Sequence, residues 1–241
     1  MDEKCTFARL PSSKGAFPGR KVQRQRATFM LTNRRSILKS AFSVGSVLLF
    51  GLAGARTALA EEITFEAIVN DPEAPVTGNL KGDVVIAAFF DYNCPFCKKS
   101  APDLDRLVKT DGAIKLVYKD CPILTEASFY GARMALAARY QGAYERVHAK
   151  LMSVPGRRNP QSYMEEAVAS SSVDVARLNA DLEAHGSEID ALIRRNVAQA
   201  RALGFQGVPD FLIGRYKASG YLDYDELKSA VAQARAPGRE K

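Results

Sequence analysis

Cysteine and histidine are scarce in this 241-residue chain, which holds four of the first and two of the second. Cys5 falls in the N-terminal leader described below, so the remainder carries Cys94, Cys97 and Cys121. An odd set of three is too small for a disulfide-built scaffold. A structural zinc site takes four ligands. Beyond a Cys94/Cys97 pair, only Cys121, His148 and His185 are available outside acidic residues, none in a recognisable second pair. No metal and no cofactor other than a Cys94–Cys97 disulfide is therefore expected. Repeats and low-complexity tracts do not stand out either.

A basic face on the body of the chain is also missing. The formal charge is +7, but residues 1–60 carry eleven Lys and Arg against Asp2 and Glu3, a net of +9 that leaves −2 for everything after. Nucleic-acid binding loses its main support, because phosphate recognition needs the charge on the folded surface. The basic segment reads instead as an address. Asn33-Arg34-Arg35-Ser36-Ile37-Leu38-Lys39 is a twin-arginine pattern, followed by a mostly apolar stretch from Ala41 to Ala55 and a small-x-small site at Ala58-Leu59-Ala60. That stretch is about 15 residues, short of the roughly 18 to 20 that span a bilayer. A signal peptide over residues 1–60, removed after Ala60, is expected, with no nearby cysteine for a lipid anchor. Met30 would give a more compact signal and is the expected start. Export to the periplasm is the expected outcome, and there a cysteine pair can form and exchange disulfides.

Along the rest of the chain, 61–82 reads as an N-terminal arm or short strand followed by turn signals at Asp71-Pro72, Ala74-Pro75 and Thr77-Gly78-Asn79. Val84 to Phe90 is a continuous apolar run, the pattern of a strand covered on both faces. A helical pattern with Leu104, Leu107 and Val108 on one side follows, then a strand from Ile114 to Tyr118. Strand, helix, strand at this spacing predicts a right-handed parallel βαβ unit with both strands ending beside Cys94. From about 122 to 204 the periodicity is helical, with breaks at Gly142, Val154-Pro155-Gly156, Ser170-Ser171-Ser172 and Gly186, which predicts four or five helices. The clearest of these is expected to start at Ser187, with Asp190 completing a capping box, and to stop at Gly204. Phe211-Leu212-Ile213 and Tyr216-Lys217-Ala218 predict a hairpin about Gly214-Arg215, and Asp223 with Glu226 caps a last helix. The fold class is α/β.

Chemistry concentrates at Cys94-Pro95-Phe96-Cys97, placed where a buried strand gives way to a helix. Helix N-terminal N–H groups and the macrodipole stabilise a thiolate, the attacking species in disulfide exchange. Cys94 is the expected nucleophile. Residues three apart share a helix face, so Cys97 can attack the mixed disulfide and act as the resolving thiol. Pro95 gives up an N–H that has no helical partner in the first turn, and the apolar Phe96 side chain cannot donate a hydrogen bond to the thiolate.

These residues resemble the DsbA family of periplasmic thiol-disulfide interchange proteins. The similarity rests on Phe89-Phe90-Asp91-Tyr92-Asn93-Cys94-Pro95-Phe96-Cys97, on Cys121-Pro122-Ile123-Leu124 and on Gly207-Val208-Pro209-Asp210-Phe211, in that order. It implies a thioredoxin fold over 83–241 with an all-helical insertion between a βαβ half and a ββα half. It also implies a cis Val208–Pro209 bond packed against the cysteines, with the Val208 backbone free to pair with a substrate strand. Family members often carry Glu where Ala88 stands, a buried acid proposed to move protons for the resolving thiol. Water or another group must do so here; Lys119 is a candidate, although a solvated surface lysine is its ordinary reading. The best-known oxidases have His in place of Phe96, so Cys94 is expected to be less acidic than theirs. Cys121 often aligns with an aromatic; a buried inert thiol is its ordinary reading and a modulatory one the alternative. His148 and His185 read as surface or packing residues.

The expected function is a thiol-disulfide oxidoreductase acting on exported cysteine-containing proteins, most simply as a disulfide-donating oxidase recharged by a membrane redox partner. The alternatives are an isomerase or reductase, a non-catalytic metal-binding thiol protein or chaperone, and a glutathione-dependent transferase. The segment before the central strand is short for a dimerisation module, so a monomer is expected.

Overall fold

The computed structural model describes residues 63–236. The expected leader, with Arg34, Arg35 and the Ala60 cleavage site, lies outside the described residues.

The apolar run forms β2 (Val84–Phe90), and β3 (Ile114–Asp120) lies parallel to it in a register that pairs Val84 with Ile114 and Phe90 with Asp120. Between them runs α2 (Pro95–Asp111), closed by Gly112 in the left-handed conformation. Two antiparallel strands complete the other side, β4 (Asp210–Ile213) on β2 and β5 (Tyr216–Ser219) on β4. The short β1 (Val76–Gly78) pairs antiparallel with β3 and gives the order β1-β3-β2-β4-β5. Helix α7 (Tyr224–Arg235) begins at the expected capping box of Asp223 and Glu226. This is a thioredoxin-like α/β fold.

Because strand side chains alternate, the parity of β2 and β3 sorts the core into two. Ile86, Ala88, Phe90, Leu116 and Tyr118 join the larger cluster with α2, α7 and the insertion helices. Ala87, Phe89 and Val117 join a smaller one with Ile68, Val69, Ala200, Leu203 and Phe205.

The insertion comprises α3 (Glu126–Ala137), a 3-10 turn at Ala138–Gln141, α4 (Tyr144–Ser153), α5 (Gln161–Ala169) and α6 (Val175–Ala202). Two expectations require correction. No helix starts at Ser187: α6 runs unbroken through Gly186 and Ser187, and its N-cap is Asp174, whose side chain accepts from Arg177 N–H at 3.0 Å. Asp190 pairs with Arg133 of α3 at 2.9 Å, and a Cβ at Gly186 would come within 3.0 Å of that guanidinium. The glycine makes room for a neighbouring helix rather than ending its own. Secondly, a short helix α1 (Phe65–Val69), capped by Thr64, precedes β1 where only an arm or strand was expected.

Candidate active site

The sheet and α2 meet at Cys94. Its side chain is the N-cap of α2 and accepts the Cys97 N–H at 3.2 Å, while Pro95 occupies the first turn. Cys94 and Cys97 are both buried thiols, and Phe96 between them is 60% exposed. The Val208–Pro209 peptide is cis, and the Cys94 thiol donates to the Val208 carbonyl at 3.3 Å. The structure thus brings together Cys94, Pro95, Phe96, Cys97, Val208 and Pro209.

The two thiols are electrostatically unlike. A hydrogen bond from the Cys97 thiol lowers Cys94 to about 7, against the opposing effect of burial, and the backbone N–H groups of Cys97 and Phe96 add to the lowering. Burial drives Cys97 far in the other direction, reinforced by its bond to Cys94. One sulfur is poised to ionise at neutral pH, and the other holds its proton.

Two residues that the sequence did not single out fix this geometry. Asp91, at the end of β2, accepts Asn93 N–H at 2.6 Å and the Ile123 and Leu124 N–H groups at 2.9 and 3.0 Å. Its carboxylate ties the Cys121-Pro122-Ile123-Leu124 loop to the cysteine turn. Asn93 donates to Thr125 Oγ1 at 2.8 Å and to the Asn159 carbonyl at 3.1 Å, and accepts Asn159 N–H at 2.9 Å. The helical insertion is latched to the site by one amide. An Asp three residues and an Asn one residue before a C-x-x-C were the available signal, because short polar side chains commonly bond to nearby backbone.

Lys119 is neither a solvated lysine nor near Cys97. It is fully buried and bonded to Asp71 at 3.1 Å, which Arg195 also grips through two nitrogens at 2.9 and 3.0 Å. As an odd-numbered residue of β3 it faces the smaller core, opposite Ala88, and its partner Asp71 lies 48 residues away in sequence. Burial lowers its pKa to about 8 despite Asp71. Its role in proton transfer to Cys97 is therefore set aside. Cys121 is buried, and burial with the nearby Asp91 charge raises it to about 12. His185 stacks on Tyr140 at 4.0 Å and bonds to Glu188 at 3.2 Å. His148 is enclosed by Phe90, Tyr92, Tyr118 and Tyr144, with ring centroids 4.7 to 5.8 Å from its own.

A cavity of about 480 Å³ opens beneath the cysteines, between α2 and α4. Its floor includes Ala88, Phe90, Leu116, Tyr118 and Phe211, and it reaches Cys97, His148 and Pro209. Among the described residues, no group of three or more His, Cys, Asp or Glu is arranged to hold a metal, and no helix is long and apolar enough to cross a membrane.

Residues 70–233 match the family model described as thioredoxin. A thioredoxin-like oxidoreductase from Silicibacter pomeroyi DSS-3 is similar with a TM-score of 0.67 and 40% identity, covering 71% of this chain and 98% of that one. The thiol-disulfide exchange protein alpha-DsbA2 from Wolbachia pipientis is similar at 0.65 and 28%, covering 70% and 91%. A periplasmic thioredoxin-like protein from Salmonella enterica serovar Typhimurium follows at 0.61 and 26%, covering 70% and 94%. Among curated proteins the chain is similar to the Na(+)/H(+) antiporter NhaA 3 of Salinispora tropica, 26% identical over 202 residues, which are 78% of this chain and 30% of that protein. The chain spans about a third or less of the length of the curated relatives it matches.

Proposed function

We propose that this chain, which belongs to the thioredoxin family and is a DsbA-type member of its superfamily, exchanges disulfides with cysteine-containing proteins after export to the periplasm. The observation that carries this reading is the Cys94 sulfur at the start of α2, accepting a backbone N–H and lowered to about 7, with a protonated Cys97 three residues on. In the oxidising direction a client thiolate attacks Cys94 of the Cys94–Cys97 disulfide and Cys97 leaves. A second client thiolate then attacks the client sulfur of the mixed disulfide, and Cys94 leaves as its stabilised thiolate. Val208 offers backbone beside the Cys94 sulfur, where a client strand would lie. Exposed Phe96, Ile123 and Leu124 surround the site with apolar surface suited to unfolded chains. The twin-arginine leader and the periplasmic neighbour support the location. A membrane redox partner would reoxidise the pair.

Cys97→Ser in the full chain tests this reading. It should accumulate disulfide-linked clients through Cys94, and Cys94→Ser should accumulate none; equal trapping by both variants contradicts it. A reductase or isomerase direction has one observation in its favour. Cys94 at about 7 lies well above the about 3.5 of the strongly oxidising DsbA and near thioredoxin. Equilibration with glutathione decides the direction: an oxidase should hold its disulfide with less ease than thioredoxin, and a reductase should match it.

A further inference from the structure

Whichever direction the exchange runs, Cys97 must gain or lose a proton, and burial makes its thiol a poor acid. Ala88 offers no group for this, and Lys119 faces the opposite side of the sheet. Two buried acids lie on the side of Cys97: Asp91, whose carboxylate is already taken up by three backbone N–H groups, and Asp120. Asp120 ends β3 with even parity, is 1% exposed, and accepts the Tyr144 hydroxyl at 2.7 Å through Oδ2. Its Oδ1 is buried without a hydrogen-bond partner. Tyr92 faces the same carboxyl, and its hydroxyl lies 3.0 Å from His148 Nδ1. The His148 ring in turn borders the cavity that reaches Cys97.

We propose that Asp120 is the proton store for Cys97, reached through Tyr92, His148 and water in the cavity; this rests on the dithiol-exchange reading above. When Cys97 resolves a mixed disulfide, its S–H proton passes through cavity water to His148 Nε2. His148 Nδ1–H passes a proton to the Tyr92 oxygen, and the Tyr92 hydroxyl gives its own to the Asp120 carboxylate. The Cys97 sulfur forms a bond to Cys94 Sγ, and the Cys94–client bond breaks with its electron pair leaving on the client sulfur. The reverse sequence protonates Cys97 when a client opens the disulfide. A 480 Å³ cavity is ample for bridging waters, each occupying about 30 Å³ in the liquid. Burial lowers His148 to about 3, so it stays neutral and can accept at one nitrogen while donating at the other. Burial raises Asp120 to about 7, against the hydrogen bond from Tyr144 and the nearby Tyr92 hydroxyl, which suits both releasing and taking a proton near neutrality.

The charged and titratable groups around this path are Tyr118, Tyr144 and Asp91 inside, and Lys98, Asp105, Lys109, Glu145 and Arg146 on the cavity walls. Cys94 titrates in the same range as Asp120, so the test isolates the step in which Cys94 is blocked. Reduced full-length protein is mixed with oxidised glutathione and quenched with acid, and the Cys94–glutathione intermediate is followed by mass across pH 5 to 9. Its decay should show an inflection near 7. In Asp120→Asn the decay should slow by about 100-fold at neutral pH, the low end for acid–base assistance, and lose that inflection. Tyr144→Phe removes a bond that favours the carboxylate, so its inflection should move to higher pH, a shift that a purely structural Asp120 would not produce. An unchanged profile in both variants overturns the proposal while leaving the exchange reading intact. Failure of any intermediate to form on Cys94 overturns the exchange reading itself.

Discussion

The two faces of the central sheet handle buried polar groups in opposite ways. On the odd-numbered face, Lys119 is paired with Asp71, and Arg195 joins Asp71 to Glu73, so these charges compensate one another. On the even-numbered face, Tyr144 bonds Asp120, Tyr92 bonds His148, and His148 shares a cavity with Cys97, and the charge is instead suppressed: the acid is raised, the histidine lowered and the thiol raised. Compensated charge fixes a fold, and removing one member leaves the other stranded. Asp120, held near 7, can exchange a proton at neutral pH, and this is the face on which Cys97 sits.

The largest expected effect breaks the compensated face. Asp71→Ala strands Lys119 in the core and should destabilise the protein by about 3–5 kcal/mol. Adding Lys119→Met should recover most of that loss in denaturant titrations. Failure to recover would mean that Asp71 acts mainly through Arg195 and the α1–β1 connection.

The suppressed face should respond to pH rather than to deletion. Asp120 is held at about 7 against an ordinary 3.8, so the folded state keeps a proton that the unfolded chain releases. The stability this contributes is complete below about 3.8 and is lost as pH rises through 7. His148 works in the opposite sense. Its folded value of about 3 against 6.5 contributes stability that is present above 6.5 and lost as pH falls toward 3. The two slopes largely cancel between about 4 and 6.5. Asp120→Asn should uncover the histidine slope, and its stability relative to the parent should climb by up to about 4 kcal/mol from pH 4 to 8, at about 1.4 kcal/mol per unit of pKa shift. Urea unfolding across that range checks this; parallel curves for the two proteins would mean that Asp120 is ionised throughout.

The smallest effect concerns Cys121, a buried thiol in the smaller core raised to about 12. Cys121→Ala should cost about 1 kcal/mol for the small void and leave disulfide exchange unchanged. Rapid alkylation of Cys121 in the native reduced protein would instead make it a reactive thiol.

Local patterns made much of this molecule legible from residues alone. The apolar run before Cys94, the cysteine pair at a helix start, the hairpin about Gly214-Arg215 and the Asp223 capping box all depend on neighbours within a few positions. The features missed depend on partners far apart in sequence. Lys119 looked like a surface residue because Asp71 and Arg195, which make its burial tolerable, lie on separate elements. Gly186 looked like a break because Arg133, the reason for a glycine there, belongs to α3. Asp120 and His148 are ordinary residues in a linear reading and become a connected set only when α4 folds over the end of β3. The parity of a strand residue was the one local clue that separated Lys119 from Asp120.

Reducing the full chain carrying Cys5→Ser and following thiolate absorbance with pH tests the central claim most directly. A single sulfur should ionise near 7, the step should vanish in Cys94→Ser, and Cys97 and Cys121 should stay silent until strongly alkaline pH. Persistence of that step in Cys94→Ser, or a first ionisation of the parent no lower than about 8.5, the value of a free cysteine, would show that the start of α2 does not activate Cys94.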